Sequence, residues 1–313
     1  MTQALERHYR SVTKALTEGR VVPLLGAGVN LCGRPPDVRW ALGSQYLPSG
    51  GELAEYLAEE FGYPAEDLVR VAETIAVMEG SAWLYDKLHT IFDADYEPTR
   101  LHRLLARLPA TMRERGAAPP YQLIVTTNYD DTLERAFQEV DEPYDLLWYM
   151  AEGREHRGRL WHVPPGEDAA GARVVERPNE YVEISLDDRP VILKFHGAVD
   201  RLGRDRDSYV ITEDHYIDYL TRTDVASLVP AELVVKLKRS HFLFLGYALR
   251  DWNVRVILHR IWAEQPFDYR SWAVQRHTAD VDEKLWQKRN VAIFDIDLFE
   301  YVTELARRLE VPL

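Results

Sequence analysis

The sequence predicts an α/β fold, a parallel sheet covered by helices on both faces, and three observations carry that prediction. Short apolar runs alternate with segments in which apolar residues recur at helical spacing, the rhythm of strands joined by crossover helices. Four of those runs, at 21–25, 121–126, 191–195 and 241–245, end abruptly in small or polar residues, as buried parallel strands do where their carboxyl ends meet a ligand. The chain has 313 residues, 46% of them hydrophobic, which suffices for one large domain with a sizeable core, and 1–313 is read as that single domain.

The elements follow in order. Leu5, Tyr9, Val12 and Leu16 form a helical stripe that Gly19 stops, and a strand occupies 21–25. Gly26-Ala27-Gly28 opens a polar, proline-bearing loop that runs to about residue 50. Residues 51–113 read as a helical layer inserted between the first strand and the next. Its stripes are Leu53, Tyr56, Leu57 and Phe61; Val69, Ile75 and Met78; Trp83, Leu84, Leu88, Ile91 and Phe92; and Leu101, Leu104, Leu105 and Leu108. Tyr121–Thr126 is the second strand, with a helix from Asp130 to Val140 and a short strand over 144–150. From Ala151 the composition turns to Gly, Pro, Arg and Glu, which predicts an irregular loop or loose surface hairpin over 151–190. Val191–Phe195 is a strand, followed by helical segments at 213–229 and 232–239 and a strand at His241–Leu245. A helix over Trp252–Trp262, a strand near 271–275, a helix at 280–289, a strand at 291–296 and a helix at 298–309 complete the chain.

Bulk composition narrows the function. Lys plus Arg is 38 against 51 for Asp plus Glu, a net charge of −13, and phosphate neutralisation along a nucleic acid needs clustered excess cations instead. Cys32 is the only cysteine, so neither a disulfide within the chain nor a Cys-rich zinc site can form. No apolar run reaches the roughly 18 residues that span a bilayer, and residues 1–10 lack the apolar core of a secretory signal. The expectation is a cytoplasmic protein with neither nucleic acid nor membrane as a direct partner, and with no bound metal.

The four strand ends carry the chemistry. Gly26-Ala27-Gly28 lets backbone approach a pyrophosphate and offers N–H groups to it, although Leu31 stands where a full Gly-x-Gly-x-x-Gly would need glycine. Thr126-Thr127-Asn128-Tyr129-Asp130-Asp131 suits helix capping, yet Asn128 lies just outside the strand, where its amide can address a ribose or a water. His196-Gly197 ends the third strand; a lone histidine is most often structural, and its position at a strand end beside glycine favours a functional one. At Gly246-Tyr247 and Asp251-Trp252-Asn253 the pattern repeats, Gly246 permitting close ligand approach and Asp251 capping a helix. Together the four ends imply one nucleotide crevice. No Gly-x-Ser-x-Gly elbow, no Gly-x-x-x-x-Gly-Lys-Ser/Thr loop and no His-Glu-x-x-His helix occurs in the chain.

In that order, Gly-Ala-Gly, Thr-Thr-Asn-Tyr-Asp, His-Gly and Gly-Tyr-x-Leu-x-Asp, the motifs resemble the sirtuin-like superfamily, and specifically its bacterial, zinc-less, antiphage-defence branch. The resemblance runs from about residue 20 to the end and implies a Rossmann-like sheet without a zinc ribbon. It makes NAD the substrate. The Gly26–Gly28 turn would hold the diphosphate, Asn128 the nicotinamide ribose and a nearby water, and Asp130 the nicotinamide carboxamide. His196 would serve as base or hydrogen-bond partner at the ribose hydroxyls, and Gly246 would border the adenosine half. Asn128 and His196 are thus the catalytic pair; Gly26, Ala27, Gly28, Asn30, Thr127, Asp130, Gly246 and Tyr247 are the dinucleotide-binding set. Asn30 stands where sirtuins usually carry serine, and Gly33, Pro36, Asp37 and Arg39 resemble their Gly-Ile-Pro-Asp-Phe-Arg segment with one extra residue.

With one cysteine the chain cannot build the four-cysteine module of protein-deacylating sirtuins, so NAD chemistry alone remains. The expected function is an NAD glycohydrolase that forms nicotinamide and ADP-ribose as an abortive-infection effector. The competing reading is a module that binds NAD or an ADP-ribose derivative without hydrolysing it; a deacylase with a metal-free groove is a third. Family analogy adds a homo-oligomer and a separate sensor, either an ATPase or an Argonaute-type partner chain.

Overall fold

A computed structural model of the chain describes residues 2–117, 121–153, 155–221, 228–247 and 269–313. Among the described residues, nine strands form one sheet: β1 (Val21–Leu25), β2 (Leu123–Thr126), β3 (Asp145–Tyr149), β4 (Leu160–Val163), β5 (Arg173–Val174), β6 (Val191–Lys194), β7 (His241–Leu245), β8 (Ser271–Val274) and β9 (Val291–Phe294). Their order across the sheet is β5-β4-β3-β6-β2-β1-β7-β8-β9. From β3 to β9 every pairing is parallel, and β4 and β5 add antiparallel at one edge. The described helices are α1 (Gln3–Thr17), α2 (Gly50–Phe61), α3 (Leu68–Met78), α4 (Ser81–Phe92), α5 (Arg100–Glu114), α6 (Thr132–Gln138), α7 (Glu213–Thr221), α8 (Ala231–Lys238), α9 (Asp280–Gln287) and α10 (Leu298–Leu309). This is the Rossmann-like architecture, with no zinc ribbon among the described residues.

The central strands are apolar on both faces because both faces are covered. Val191 and Leu193 of β6, with Phe195 just beyond it, join one core with Leu233 and Leu237 of α8 and Trp286 of α9. Ile192 faces the other side, into a core shared with Tyr9 of α1, Leu104 of α5, Phe137 of α6 and Leu305 of α10.

The helices between β1 and β2 divide into two groups. Helix α5 belongs to the sheet's own helical layer, whereas α2, α3 and α4 enclose a separate core of Leu57, Ile75, Leu84 and Leu88. Tyr129, Tyr209 and Ile211 join that second core from the loops that leave the sheet, which seats α2–α4 beside the strands' carboxyl ends.

The 151–190 segment is more ordered than the predicted irregular loop or loose hairpin. Leu160–Val163 pairs with 146–149 of β3, with Trp148 opposite Trp161. Trp148, Met150, Val163 and Ala198 form a small core of their own, which gives that edge an apolar face to bury. Past Thr221, the predicted helix over 213–229 leaves the described residues until 228, and the predicted helix over Trp252–Trp262 and the cap at Asp251 lie outside them altogether.

Candidate active site

Strands β6, β2, β1 and β7 are immediate neighbours in the middle of the sheet, and each carries one of the four motifs at its carboxyl end. The chain leaves β1 for β2 on one side and returns to β7 on the other. That reversal is the topological switch point, beyond whose strand ends open α/β sheets bind ligands. A cleft of about 1360 Å³ opens there, and Ala27, Gly28, Asn30, Thr127, Asn128, Asp130, His196, Gly246 and Tyr247 all line it. The starts of α2 and α3 wall it on one side, and Gln275–His277 and Ile296–Phe299 on the other.

Gly26 is the one member of the predicted set that does not line the cleft; its carbonyl accepts a hydrogen bond from Asn128 Nδ2 at 3.4 Å. The glycines of this turn have a reason other than ligand approach. A Cβ on Gly28 would lie 2.6 Å from the Gly246 carbonyl oxygen, and one on Gly26 would lie 2.8 Å from the same atom. Gly246, at φ +68°, would meet the Val29 nitrogen at 2.3 Å. The β1 and β7 turns therefore interlock backbone against backbone, with Gly28 N–H donating to Gly246 O at 2.9 Å. Ala27 keeps an N–H that donates to no described residue.

The β2 turn is held from several directions. Asn128 N–H donates to Thr126 Oγ1 at 3.0 Å, and its carboxamide NH2 reaches Gly26, so its carboxamide oxygen is the group without a described partner. Thr127 Oγ1 and the Tyr247 hydroxyl share a hydrogen bond of 2.6 Å, which ties the β2 turn to the β7 turn across the cleft. Both oxygens of the buried Asp130 carboxylate are engaged: one takes Thr132 N–H at 3.1 Å and starts α6, the other takes Asn30 Nδ2 at 3.3 Å. The capping role expected of Asp130 or Asp131 belongs to Asp130, since Asp131 makes no capping bond.

Among the described residues, two buried polar atoms at the cleft lack partners: His196 Nε2 and Asn30 Oδ1. Unpaired buried polar atoms cost about 1–3 kcal/mol each, so a ligand that satisfies them gains that much. The His196 ring meets Tyr216 edge-on with centroids 5.5 Å apart. Burial lowers the imidazole pKa to about 3, so the ring is neutral near pH 7 and its unpaired nitrogen can accept a hydrogen bond.

Sequence reasoning missed several contributors. Arg34 lines the cleft and grips Glu52 through both carboxylate oxygens at 2.9 and 3.0 Å, pinning the loop after β1 to α2. Arg39, read as part of a sirtuin-like loop motif, is instead exposed at the rim of that loop. Tyr216 carried no signal beyond lying in a predicted helix, and the Gln275–His277 segment none beyond the end of a predicted strand. Lys194 was legible only as the end of an apolar strand.

Residues 122–294 match a family model described as a SIR2-like domain. The chain is also 22% identical over 252 residues to Defense-associated sirtuin 2 of Bacillus subtilis, an alignment covering 80% of this chain and 20% of that protein. The chain therefore spans about a fifth of that relative's length.

Proposed function

Because the chain belongs to the SIR2-like domain family, whose model matches 122–294, we propose that it is an NAD glycohydrolase, releasing nicotinamide and ADP-ribose as an abortive-infection effector in antiphage defence. The observation that supports this most is the convergence of Asn128 and His196 on one cleft at the switch point, with His196 Nε2 buried and unpaired. The name of the Bacillus subtilis relative supports the defence context.

NAD supplies a labile bond: the C1′–N bond breaks with its electron pair passing to the pyridinium, nicotinamide leaves neutral, and water adds at C1′ with loss of a proton. The chain's share is binding and orientation. Asn128, its NH2 anchored on Gly26, presents its carboxamide oxygen to a ribose hydroxyl or the attacking water. His196, neutral and buried, accepts a hydrogen bond from a ribose hydroxyl at its unpaired ring nitrogen. Ala27 N–H serves the diphosphate, Asn30 Oδ1 a ribose or amide donor, and Tyr247 the β7 side of the dinucleotide.

Incubation of the purified chain with NAD, with products separated by chromatography, tests the proposal: nicotinamide and ADP-ribose are expected, whereas tight NAD binding without nicotinamide release would establish the sensing module instead. A lethal NADase needs restraint, and self-assembly or a partner chain is the restraint we propose. Light scattering that gave an active monomer would contradict it.

A further inference from the structure

We infer that Lys194 is a positioning residue for this site: it locks the Asn128–Asp131 turn in register with His196 from beneath the cleft. The inference rests on the proposed NAD cleavage only for its kinetic consequence; the structural part stands alone.

Lys194 is the last residue of β6, two positions before His196, and is 1% exposed. Along β6 the side chains alternate. Val191, Leu193 and Phe195 face the core under α8, and Ile192 faces the core that contains α6. Lys194 follows Ile192 by two and so faces α6. There its ammonium donates to the Asp130 carbonyl and lies 2.6 Å from Glu134 Oε1 in the first turn of α6.

Regular pairing between the two strands ends at the same level. Thr126 sits opposite Lys194, and the last bond of the ladder is Phe195 N–H to Thr126 O at 3.0 Å. Past it Asn128 and His196 ride on separate turns, which Val199 N–H to Tyr129 O at 3.0 Å, the Tyr129 hydroxyl to Val210 O at 2.8 Å and the partly exposed Arg201–Asp131 ion pair at 3.7 Å also join. Lys194 is a buried charged link beside these, and it grips the turn and the helix that follows it at once.

A buried ion pair is a poor device for stability, since an apolar pair of the same volume often serves as well; its use is to select one arrangement. Here the selected arrangement is the one in which the strand bearing His196 and the turn bearing Asn128 share a fixed offset. Glu134 Oε2 is buried without a partner, so the pair is not fully compensated even with Lys194 in place.

The test compares the parent chain with Lys194→Met and with Lys194→Met/Glu134→Leu, the second removing the pair without stranding a buried carboxylate. In the absence of nucleotide, amide exchange over 128–132 is expected to rise about tenfold or more in the double variant while the β1 and β7 amides stay protected. With NAD, kcat for nicotinamide release is expected to fall about 10- to 100-fold, KM staying within about threefold, the pattern of a misplaced catalytic group. Unchanged exchange in the double variant overturns the inference whatever the chain does to NAD. Raised exchange with parental kcat overturns the positioning role. A parent chain that releases no nicotinamide refutes the NADase reading instead, and exchange then decides the structural claim by itself.

Discussion

The interlock of the β1 and β7 turns predicts an unequal series of Gly→Ala substitutions. Gly43 has φ +81° but open space where its Cβ would sit, so Gly43→Ala reports backbone strain alone. That strain is about 1–2 kcal/mol, less the roughly 0.4–1 kcal/mol gained by stiffening the unfolded chain. Gly28 has an ordinary φ, but its Cβ would lie 2.6 Å from Gly246 O and 2.9 Å from Gly246 Cα, so Gly28→Ala reports overpacking, about 1–3 kcal/mol. Gly246 combines both, with φ +68° and a Cβ 2.3 Å from Val29 N and 2.7 Å from the Gly28 carbonyl carbon. Backbone cannot step aside as a flexible side chain does, so Gly246→Ala is expected to cost about 2–5 kcal/mol, a large share of the ~5–15 kcal/mol of an ordinary domain. Urea unfolding followed by tryptophan fluorescence measures all three; with a slope of about 3 kcal/mol/M, 3 kcal/mol moves the midpoint by about 1 M. NAD affinity is expected to fall with Gly246→Ala and not with Gly43→Ala. A Gly246→Ala midpoint equal to that of Gly43→Ala would show that the two turns yield freely, and the interlock would not be what shapes the cleft.

Other outcomes follow from named groups. His196 is neutral when folded down to about pH 3, while the unfolded chain protonates it near 6.5, so its neutral burial favours the fold above 6.5 and that contribution drains away as pH falls toward 3. At pH 5 the loss is about 2 kcal/mol, so the drop in stability between pH 7.5 and 5 is expected to be smaller by that amount in His196→Gln; identical pH slopes would contradict the buried neutral state. For Glu52, burial opposes the carboxylate, but the Trp40 and Ser49 N–H groups, the Ser49 hydroxyl and Arg34 outweigh it and hold the pKa at about 2. Glu52→Gln is expected to destabilise by about 2 kcal/mol at pH 7, the gap closing as pH falls from 4.5 toward 2, and a gap independent of pH would refute the charge argument. Burial pushes the Cys32 thiol up to about 11, so iodoacetamide should label it slowly in the folded chain and fast in urea; labelling at the rate of a free thiol in the folded chain would show the cleft wall to be open there.

The sheet was legible because its central strands are buried on both faces and read as unbroken apolar runs, as in Leu24-Leu25 and Ile192-Leu193. The placing of the four motifs at neighbouring strand ends was legible too, because each run stops where its side chains change from aliphatic to small or polar. Strands β4 and β5 were not. Leu160-Trp161-His162-Val163 is mostly buried but short, and it lies amid Gly, Pro and charged residues that read as loop; Arg173-Val174 at the edge is only two residues long. The division of the inserted helices was hidden because the stripes of α4 and α5 look alike, and only the partner each stripe meets separates them. Gly26 and Gly28 were legible as a tight turn but their packing against Gly246 was not, because glycine signals a close approach without saying what approaches. Lys194 and Glu134 pair across the fold, and nothing local marks a lysine at a strand end as buried. Arg34 was masked by the better-known shape of a neighbouring Pro-Asp-x-Arg string.

The central claim is that one carboxamide and one neutral imidazole, presented by adjacent strands, break the bond between nicotinamide and ribose. Nicotinamide release from NAD by the parent chain, Asn128→Ala and His196→Ala, each first shown to unfold at the parental urea midpoint, tests it most directly. The account predicts release by the parent and a fall of about 10²–10⁴-fold in each variant. Either variant working at the parental rate would contradict it.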